Sequence, residues 1–365
     1  MAEHRLYLRP TGFVDAPFGF DGQVLRLAGG LTWFSAIEAI AVAGGTRTGA
    51  TLVPVERLDS FLGSLSSEAE EGARATLARL TAPRPPLKLG PRSIPLDQPQ
   101  VMAILNVTPD SFSDGGAHVG DPAGAAEAGM RMLEAGAAIL DVGGESTRPG
   151  AATIWEGDEI ARVRPVIERL AAAGAAVSID TRKAAVMAAA LEAGAAIVND
   201  VSALTYDDQA MPLLAARDCP VVLMHHRPKP EANQRGDVLI EVYDWLDARI
   251  RAAEAAGIAR ARIIIDPGLG AGSFGKSVRD NLTLVNGLSL LHGLGCPILL
   301  GASRKSFIGA LNREAPVAQR LGGSVAVALA GAAQGVQIMR VHDAFDSVQA
   351  LRVWRGMRDS ALSPL

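Results

Sequence analysis

From Val101 to Arg340 the chain repeats one phrase: a short apolar run, a polar residue at its end, a loop, then a helical stretch often closed by glycine. Strands are predicted at 101–105, 138–142, 176–180, 196–199, 220–224, 262–266, 297–301 and 336–340. Helices are predicted between most of them, at 121–135, 158–173, 183–193, 210–216, 240–256, 281–291 and 317–334, with a last one at 344–357. Short apolar runs fit strands covered on both faces, and crossover helices supply that cover. Eight alternating units favour an α/β architecture closed as a TIM (β/α)8 barrel over an open doubly wound sheet.

In such a barrel the carboxyl ends of all strands share one face. Asn106, Asp141, Asp180, Asn199, Asp266, Ser303, Lys305, Arg340 and His342 would then converge from distant parts of the chain. For any one of them, a strand-terminating or loop-capping role is as open as a chemical one. Two polar, glycine-containing loops rise from this face: TPDSFSDGG after the first strand and GGESTRPG, 143–150, after the second. Their composition suits segments that order around a ligand. Arg148, Arg340, His342 and the Ser303–Arg304–Lys305 run suit a phosphorylated ligand. Asn106 offers one oxygen to a metal otherwise surrounded by phosphate and water, a common situation for magnesium. Asp180, Asn199 and Asp266 can read a flat ring bearing amino, imino and carbonyl groups. Ile197 and Met224 are candidates to sandwich that ring, although a methionine there fits the core equally well.

Other chemistries find less support. His225–His226 has no accompanying HExxH or cysteine cluster for zinc. DPGLGAGSFGK has the wrong spacing for a Walker A loop, and no dinucleotide fingerprint accompanies it. No Ser–His–Asp or Cys–His assembly stands out. The formal charge of −4 gives no basic excess for nucleic acid. No uninterrupted apolar run is long enough for a membrane span, and the start of the chain has no signal core, so a cytoplasmic location is expected. Cys219 and Cys296, at strand starts, are expected to be buried, unpaired thiols.

Residues 1–95 break the rhythm and are read as a small N-terminal α/β domain or extension with a packing role. Strands are predicted at 6–8, 24–27 and 51–55, and helices at 58–65 and 69–80. Residues 34–42 predict a further helix, with Ser35 and Glu38 as a capping box and Gly44–Gly45 as its stop. The proline-rich 81–92 stretch reads as a linker. Arg5, Arg9, Arg47 and Arg57 read as a solvated face rather than a ligand patch. The barrel is assigned 96–358, leaving 359–365 as a tail.

The ordered motifs over residues 99–358 resemble dihydropteroate synthase. They are NVTPDSFSDGG at 106–116, DVGGESTRPG at 141–150, SIDTRK at 178–183, NDVSAL at 199–204, LMH at 223–225, DPGLG at 266–270, GASRKSFIG at 301–309 and RVHD at 340–343. The resemblance implies a TIM barrel, usually a homodimer, that joins (7,8-dihydropterin-6-yl)methyl diphosphate to 4-aminobenzoate with Mg2+ in an SN1-like reaction. By matching motif, Asp180, Asn199, Asp266 and Lys305 bind the pterin, with Met224 and Gly301 lining its pocket. Asn106 contributes to the Mg2+ site, and Arg340 and His342 hold diphosphate. Thr147, Arg148, Pro149 and Ser303 complete the 4-aminobenzoate site, with Phe274 as its aromatic wall. Asp110 and Phe112 belong to the first loop, which closes over the reacting centre. Asp110, Asp180, Lys305, Arg340 and His342 form the implied catalytic set.

Two departures from the family pattern are expected to matter. The 266–276 segment carries three extra residues, which would bear on amine or sulfonamide recognition. LMH is followed by HRPKP, so the local turn differs. Two alternatives to the synthase reading are a pterin-dependent methyltransferase domain and a non-catalytic pterin-binding protein. The first would need a corrinoid partner module that this chain does not offer. The second would not need the diphosphate and second-substrate groups.

Overall fold

The computed structural model describes residues 4–108, 121–145, 153–227, 236–270 and 275–363. At the N-terminus, β1 (His4–Val14) pairs antiparallel with β3 (Trp33–Ala43), which also pairs with β2 (Leu25–Arg26) and β4 (Thr46–Pro54). Helices α1 (Leu58–Leu62) and α2 (Ser67–Thr81) share an apolar cluster with this sheet through Leu8, Phe34, Ile37, Val53, Leu62 and Leu80. β3 corrects the helix expected at 34–42. Ser35 donates to the Gly12 carbonyl at 2.9 Å, and Glu38 accepts from Arg9 on β1 at 2.6 Å and from Arg47 on β4. Both supposed capping residues therefore bond across strands. β3 is buried on both faces, with Ile37 against α1 and α2 and Ile40 and Val42 against the barrel. Double burial erases the polar alternation that marks a strand in sequence. The same pairs account for Arg9 and Arg47, while Arg5 binds Asp244.

The expected linker is also corrected. Its second half begins a hairpin, β5 (Leu87–Leu89) with β6 (Arg92–Ile94). Leu87, Leu89, Ile94 and Leu96 pack into the amino-terminal end of the barrel and plug it.

The barrel strands are β7 (Gln100–Asn106), β8 (Ile139–Gly143), β9 (Val177–Asp180), β10 (Ile197–Asp200), β11 (Val221–Met224), β12 (Ile263–Asp266), β13 (Leu299–Leu300) and β14 (Ile338–Val341). They form one eight-stranded sheet of order β12-β11-β10-β9-β8-β7-β14-β13, and its strand pairings are parallel. A parallel bridge between Ile265 and Ile298 closes the ring. The surrounding helices are α3 (Pro122–Glu134), α4 (Glu156–Ala172), α5 (Ala184–Glu192), α6 (Ala210–Ala215), α7 (Val238–Ala255), α8 (Val278–Asn286), α9 (Ser306–Ala310), α10 (Leu321–Ala333) and α11 (Ala344–Leu362). The sequence reading did not separate α9, and α11 continues into the expected tail. Side chains at the helix starts explain several boundaries. Asp121 caps α3 ahead of Pro122, Asp237 caps α7, and Ser277 with Asp280 forms a capping box on α8.

Alternation along the strands sorts the interior into storeys. The outward set, including Val101, Leu105, Leu140, Ile179, Val198, Leu223 and Ile265, packs in the cluster shared with the helices. The inward set starts with Met102, Ile139, Ile197, Val222, Ile264, Leu299 and Ile338, which rest on the plug. Ile197 is thus a floor residue, and the expectation that it sandwiches a ring at the mouth is corrected. Two residues further along the same inward faces stand Asp141, Asn199, Met224, Asp266, Gly301 and Arg340.

Candidate active site

Strand register builds the mouth. Asn106 pairs with Gly143, Gly143 with Asp180, Asp180 with Asn199, and Met224 with Asp266. At the centre stands the Arg340 guanidinium. Its Nε donates to Asp141 Oδ2 at 2.6 Å, and its second arm donates to Asp180 Oδ2. Asn199 Nδ2 donates to the same Asp141 oxygen at 3.0 Å. Burial alone would lower the Arg340 pKa, but Asp141 and Asp180 outweigh it and hold the group above its ordinary value. Burial pushes Asp180 up to about 7; Arg340 opposes the shift and Asp141 adds to it. Asp180 Oδ1 and Asp141 Oδ1 are buried and have no hydrogen-bond partner among the described residues, leaving acceptors in the barrel mouth.

A second arm completes the mouth. Asp266 Oδ1 accepts from the Gly268 amide at 2.7 Å, and burial raises its pKa against the pull of Lys305. Burial lowers Lys305 to about 8, opposed by Asp266, and its ammonium donates to the Leu269 carbonyl. Gly301 faces this pair: a Cβ there would lie 3.4 Å from Asp266 Oδ2 and 4.0 Å from Lys305 Nζ. Beyond it, Ser303 Oγ accepts from the His342 amide at 3.1 Å and lies 3.1 Å from His342 Nδ1. Arg304 adopts φ 58°, while its Nε donates to Asp343 at 2.9 Å. That pair ties the turn after β13 to the end of β14.

The structure therefore brings together Asn106, Asp180, Asn199, Met224, Asp266, Gly301, Ser303, Lys305, Arg340 and His342. Asp110, Phe112, Thr147, Arg148, Pro149 and Phe274 lie outside the described residues, as does the extra length at Ala271–Ser273. Asp141 was legible as a strand-end polar residue, but its hold on Arg340 was not. Lys276 was missed as a member of this neighbourhood. It is buried, donates to the Gly268 carbonyl at 2.7 Å and lies 2.8 Å from His225 Nδ1. Burial, then Arg227, lowers it to about 7, and burial, then Lys276, lowers His225 to about 2. His225 is thus a neutral support for the turn after β12. That turn requires glycine at 268, where φ is +66° and a Cβ would fall 1.8 Å from the His225 carbonyl oxygen. The cysteines are free and buried, as expected.

A family model described as "Pterin binding enzyme" matches residues 102–342. Dihydropteroate synthase of Neisseria meningitidis serogroup B is 46% identical over 271 residues, covering 72% of this chain and 94% of that protein. The chain belongs to the dihydropteroate synthase family. The synthase of Escherichia coli K12 is 43% identical over 266 residues, covering 72% of this chain and 92% of that one. The solved dihydropteroate synthase of Xanthomonas albilineans with 4-aminobenzoic acid has 47% identity and a TM-score of 0.69, covering 75% of this chain and 98% of its own. The synthase of the same organism solved with 7,8-dihydropteroate has 41% identity and a TM-score of 0.66, covering 77% and 100%. These synthases are thus matched almost end to end by about three quarters of this chain. The family match begins at Met102, so β1–β6 with α1 and α2 precede it.

Proposed function

We propose that the barrel condenses (7,8-dihydropterin-6-yl)methyl diphosphate with 4-aminobenzoate, giving 7,8-dihydropteroate and diphosphate. The observation that carries this reading is the cradle of Asp180, Asn199, Asp266 and Lys305 beside Arg340, in a chain of this family. Two carboxylates and an amide suit the amino and imino edge of a pterin, and Lys305 suits its carbonyl side. Buried carboxylates also favour positive charge developing on the ring as diphosphate leaves. In an SN1-like course the methylene–oxygen bond breaks first. The neutral amine then forms the carbon–nitrogen bond and gives up a proton. Arg340 and His342 would meet the departing diphosphate, with Ser303 orienting the imidazole through its contact with Nδ1.

Among the described residues, no group of three or more His, Cys, Asp or Glu side chains could hold a metal ion. The donor that fits is the Asn106 amide oxygen at the exit of β7. A single hard oxygen suits Mg2+ held chiefly by substrate phosphate oxygens, where the ion would offset charge on the leaving group. We also infer a homodimer. Its support is an apolar stripe on α11, where Phe345, Val353 and Met357 are each more than half exposed. No described helix is long and apolar enough to cross a membrane, which fits the cytoplasmic location we propose.

The deciding experiment mixes the full chain with the pterin diphosphate, 4-aminobenzoate and Mg2+, and follows dihydropteroate. Product formation is expected. A folded protein that binds pterin but releases no dihydropteroate would sink the synthase reading and favour a binding protein.

A further inference from the structure

Two local costs meet at one ion pair beside the mouth. Arg304 holds φ at 58°, in the left-handed region that a residue other than glycine seldom enters without constraint. Its backbone is pinned there from both sides: its amide donates to Ser324 Oγ at 2.9 Å, and its carbonyl accepts from Arg320 at 3.0 Å. Its side chain holds Asp343 with two arms, Nε on one carboxylate oxygen at 2.9 Å and a terminal nitrogen on the other. Asp343 precedes α11 at the position where aspartate ordinarily caps a helix. Asp121 and Asp237 do so for α3 and α7, but the Asp343 side chain makes no capping bond to α11. Its carboxylate is committed to Arg304 instead. The two side chains are only 18% and 15% exposed, so this two-armed contact is held largely out of bulk solvent.

What the pair joins accounts for both costs. Ser303 and Lys305 flank Arg304 in the chain, and His342 precedes Asp343. Lys305 stands with Asp266 in the ring cradle, whereas His342, against Ser303, stands where the departing diphosphate is met. We propose that Arg304 and Asp343 form a positioning pair for the reaction, fixing the Lys305 turn against the His342 turn so that the two ends of the breaking methylene–oxygen bond stay in register. This inference rests on the synthase reading and deepens it: the pair acts through its chain neighbours rather than on the substrate. Without it, each half of the substrate keeps its own contacts, so affinity for either half alone changes little. The separation of the halves is what loosens, and a displacement of about 1 Å is enough to cost an aligned reaction on the order of 100-fold. The pair therefore bears on kcat more than on binding.

The test compares the full chain with Arg304→Asn, Asp343→Asn and the two combined. Asparagine tolerates a positive φ and caps helices well, so it keeps both local backbones while abolishing the ion pair. Steady-state kinetics give kcat, and calorimetry gives the affinities for 6-hydroxymethylpterin alone and for inorganic diphosphate with Mg2+ alone. Each single variant is expected to lose about tenfold or more in kcat, with both affinities held within about threefold. The double variant is expected to be no slower than the slower single, because the same contact is lost only once. Arg304→Lys keeps the charge but not the two-armed contact, and is expected to recover part of the rate. Unchanged kcat in the folded variants overturns the proposal. So do losses that multiply in the double variant, or a parallel loss of both affinities, because these mark independent or merely structural roles. If the asparagine variants do not fold, Arg304→Lys carries the test, and full kcat in it overturns the proposal. Absence of turnover by the unaltered chain would instead sink the synthase reading, so the two failures are distinguishable.

Discussion

Arg340 is the residue on which the mouth turns. It joins Asp141 to Asp180, so the group proposed for diphosphate is also the counter-charge of the pterin cradle. Removing it as Arg340→Met leaves two buried carboxylates facing each other, a defect of about 3–5 kcal/mol. The pH dependence follows from Asp180. Its pKa already rises from 3.8 toward about 7 in the folded state, and loss of Arg340, which opposes that rise, carries it higher. The folded protein then holds a proton that the unfolded chain has released, so stability falls as pH rises through that window. Urea unfolding should show a larger deficit for Arg340→Met at pH 8 than at pH 6, and a deficit independent of pH would contradict the pairing. Gly301 offers a separate probe. A Cβ there makes ordinary contacts, so Gly301→Val should fold. Its branches would crowd the space before Asp266, weakening pterin binding about tenfold or more in calorimetry. Undiminished affinity would remove the ring from that pocket.

At the scale of elements, the plug and the storeys above it divide stability from chemistry. Leu89 is 3% exposed in the floor cluster, beneath the inward polar ring. Leu89→Ala should cost about 2–5 kcal/mol in chemical denaturation while leaving the KM for both substrates unchanged. A large KM change would mean that the floor and the mouth are coupled. Helix α11 bears on assembly: Val353→Asp, within its exposed stripe, should shift the protein to monomer in light scattering if that stripe is the dimer face. The barrel was legible because most inward faces of the parallel strands end in a polar group at the same end of the sheet. Asn106, Asp180, Asn199 and Asp266 could therefore be read from their positions alone. β3 was misread because burial on both sides left Ser35 and Glu38 at the spacing of a capping box. The plug was misread because proline-limited backbone looks alike in a linker and in a short hairpin. Lys183 and Lys276 carried no local signal. Their side-chain partners lie 24 to 51 residues away, at bonds that only the folded chain forms.

For the whole molecule, the question is whether the N-terminal elements ride on the barrel or complete it. The contacts favour completion. Tyr7 donates to Asp244 on α7 at 2.8 Å, and Ser289 donates to the Pro10 carbonyl at 2.9 Å. Arg79 and Arg84 donate to the carbonyls of Gly293 and His292 at 2.6 and 2.9 Å, capping the helical turns at Leu288–Leu294 that lead toward β13. Tyr7, Ile40 and Val42 belong to the same apolar cluster as the barrel helices. A chain beginning at Pro95 would lose those caps and expose that surface, as well as removing Leu87, Leu89 and Ile94 from the floor. Each uncapped buried carbonyl costs about 1–3 kcal/mol, and the apolar losses add to it. The truncated chain is therefore expected to bind a hydrophobic dye and to unfold at much lower denaturant than the full chain. A second truncation beginning at Ala82 keeps Arg84 and the hairpin but removes the sheet with α1 and α2. If the sheet is part of the barrel's own packing, this longer chain should remain destabilised, and addition of the separate 1–81 fragment should restore part of the loss. Full stability and turnover from the chain beginning at Ala82 would show instead that the sheet is a passenger, with the plug alone needed by the barrel.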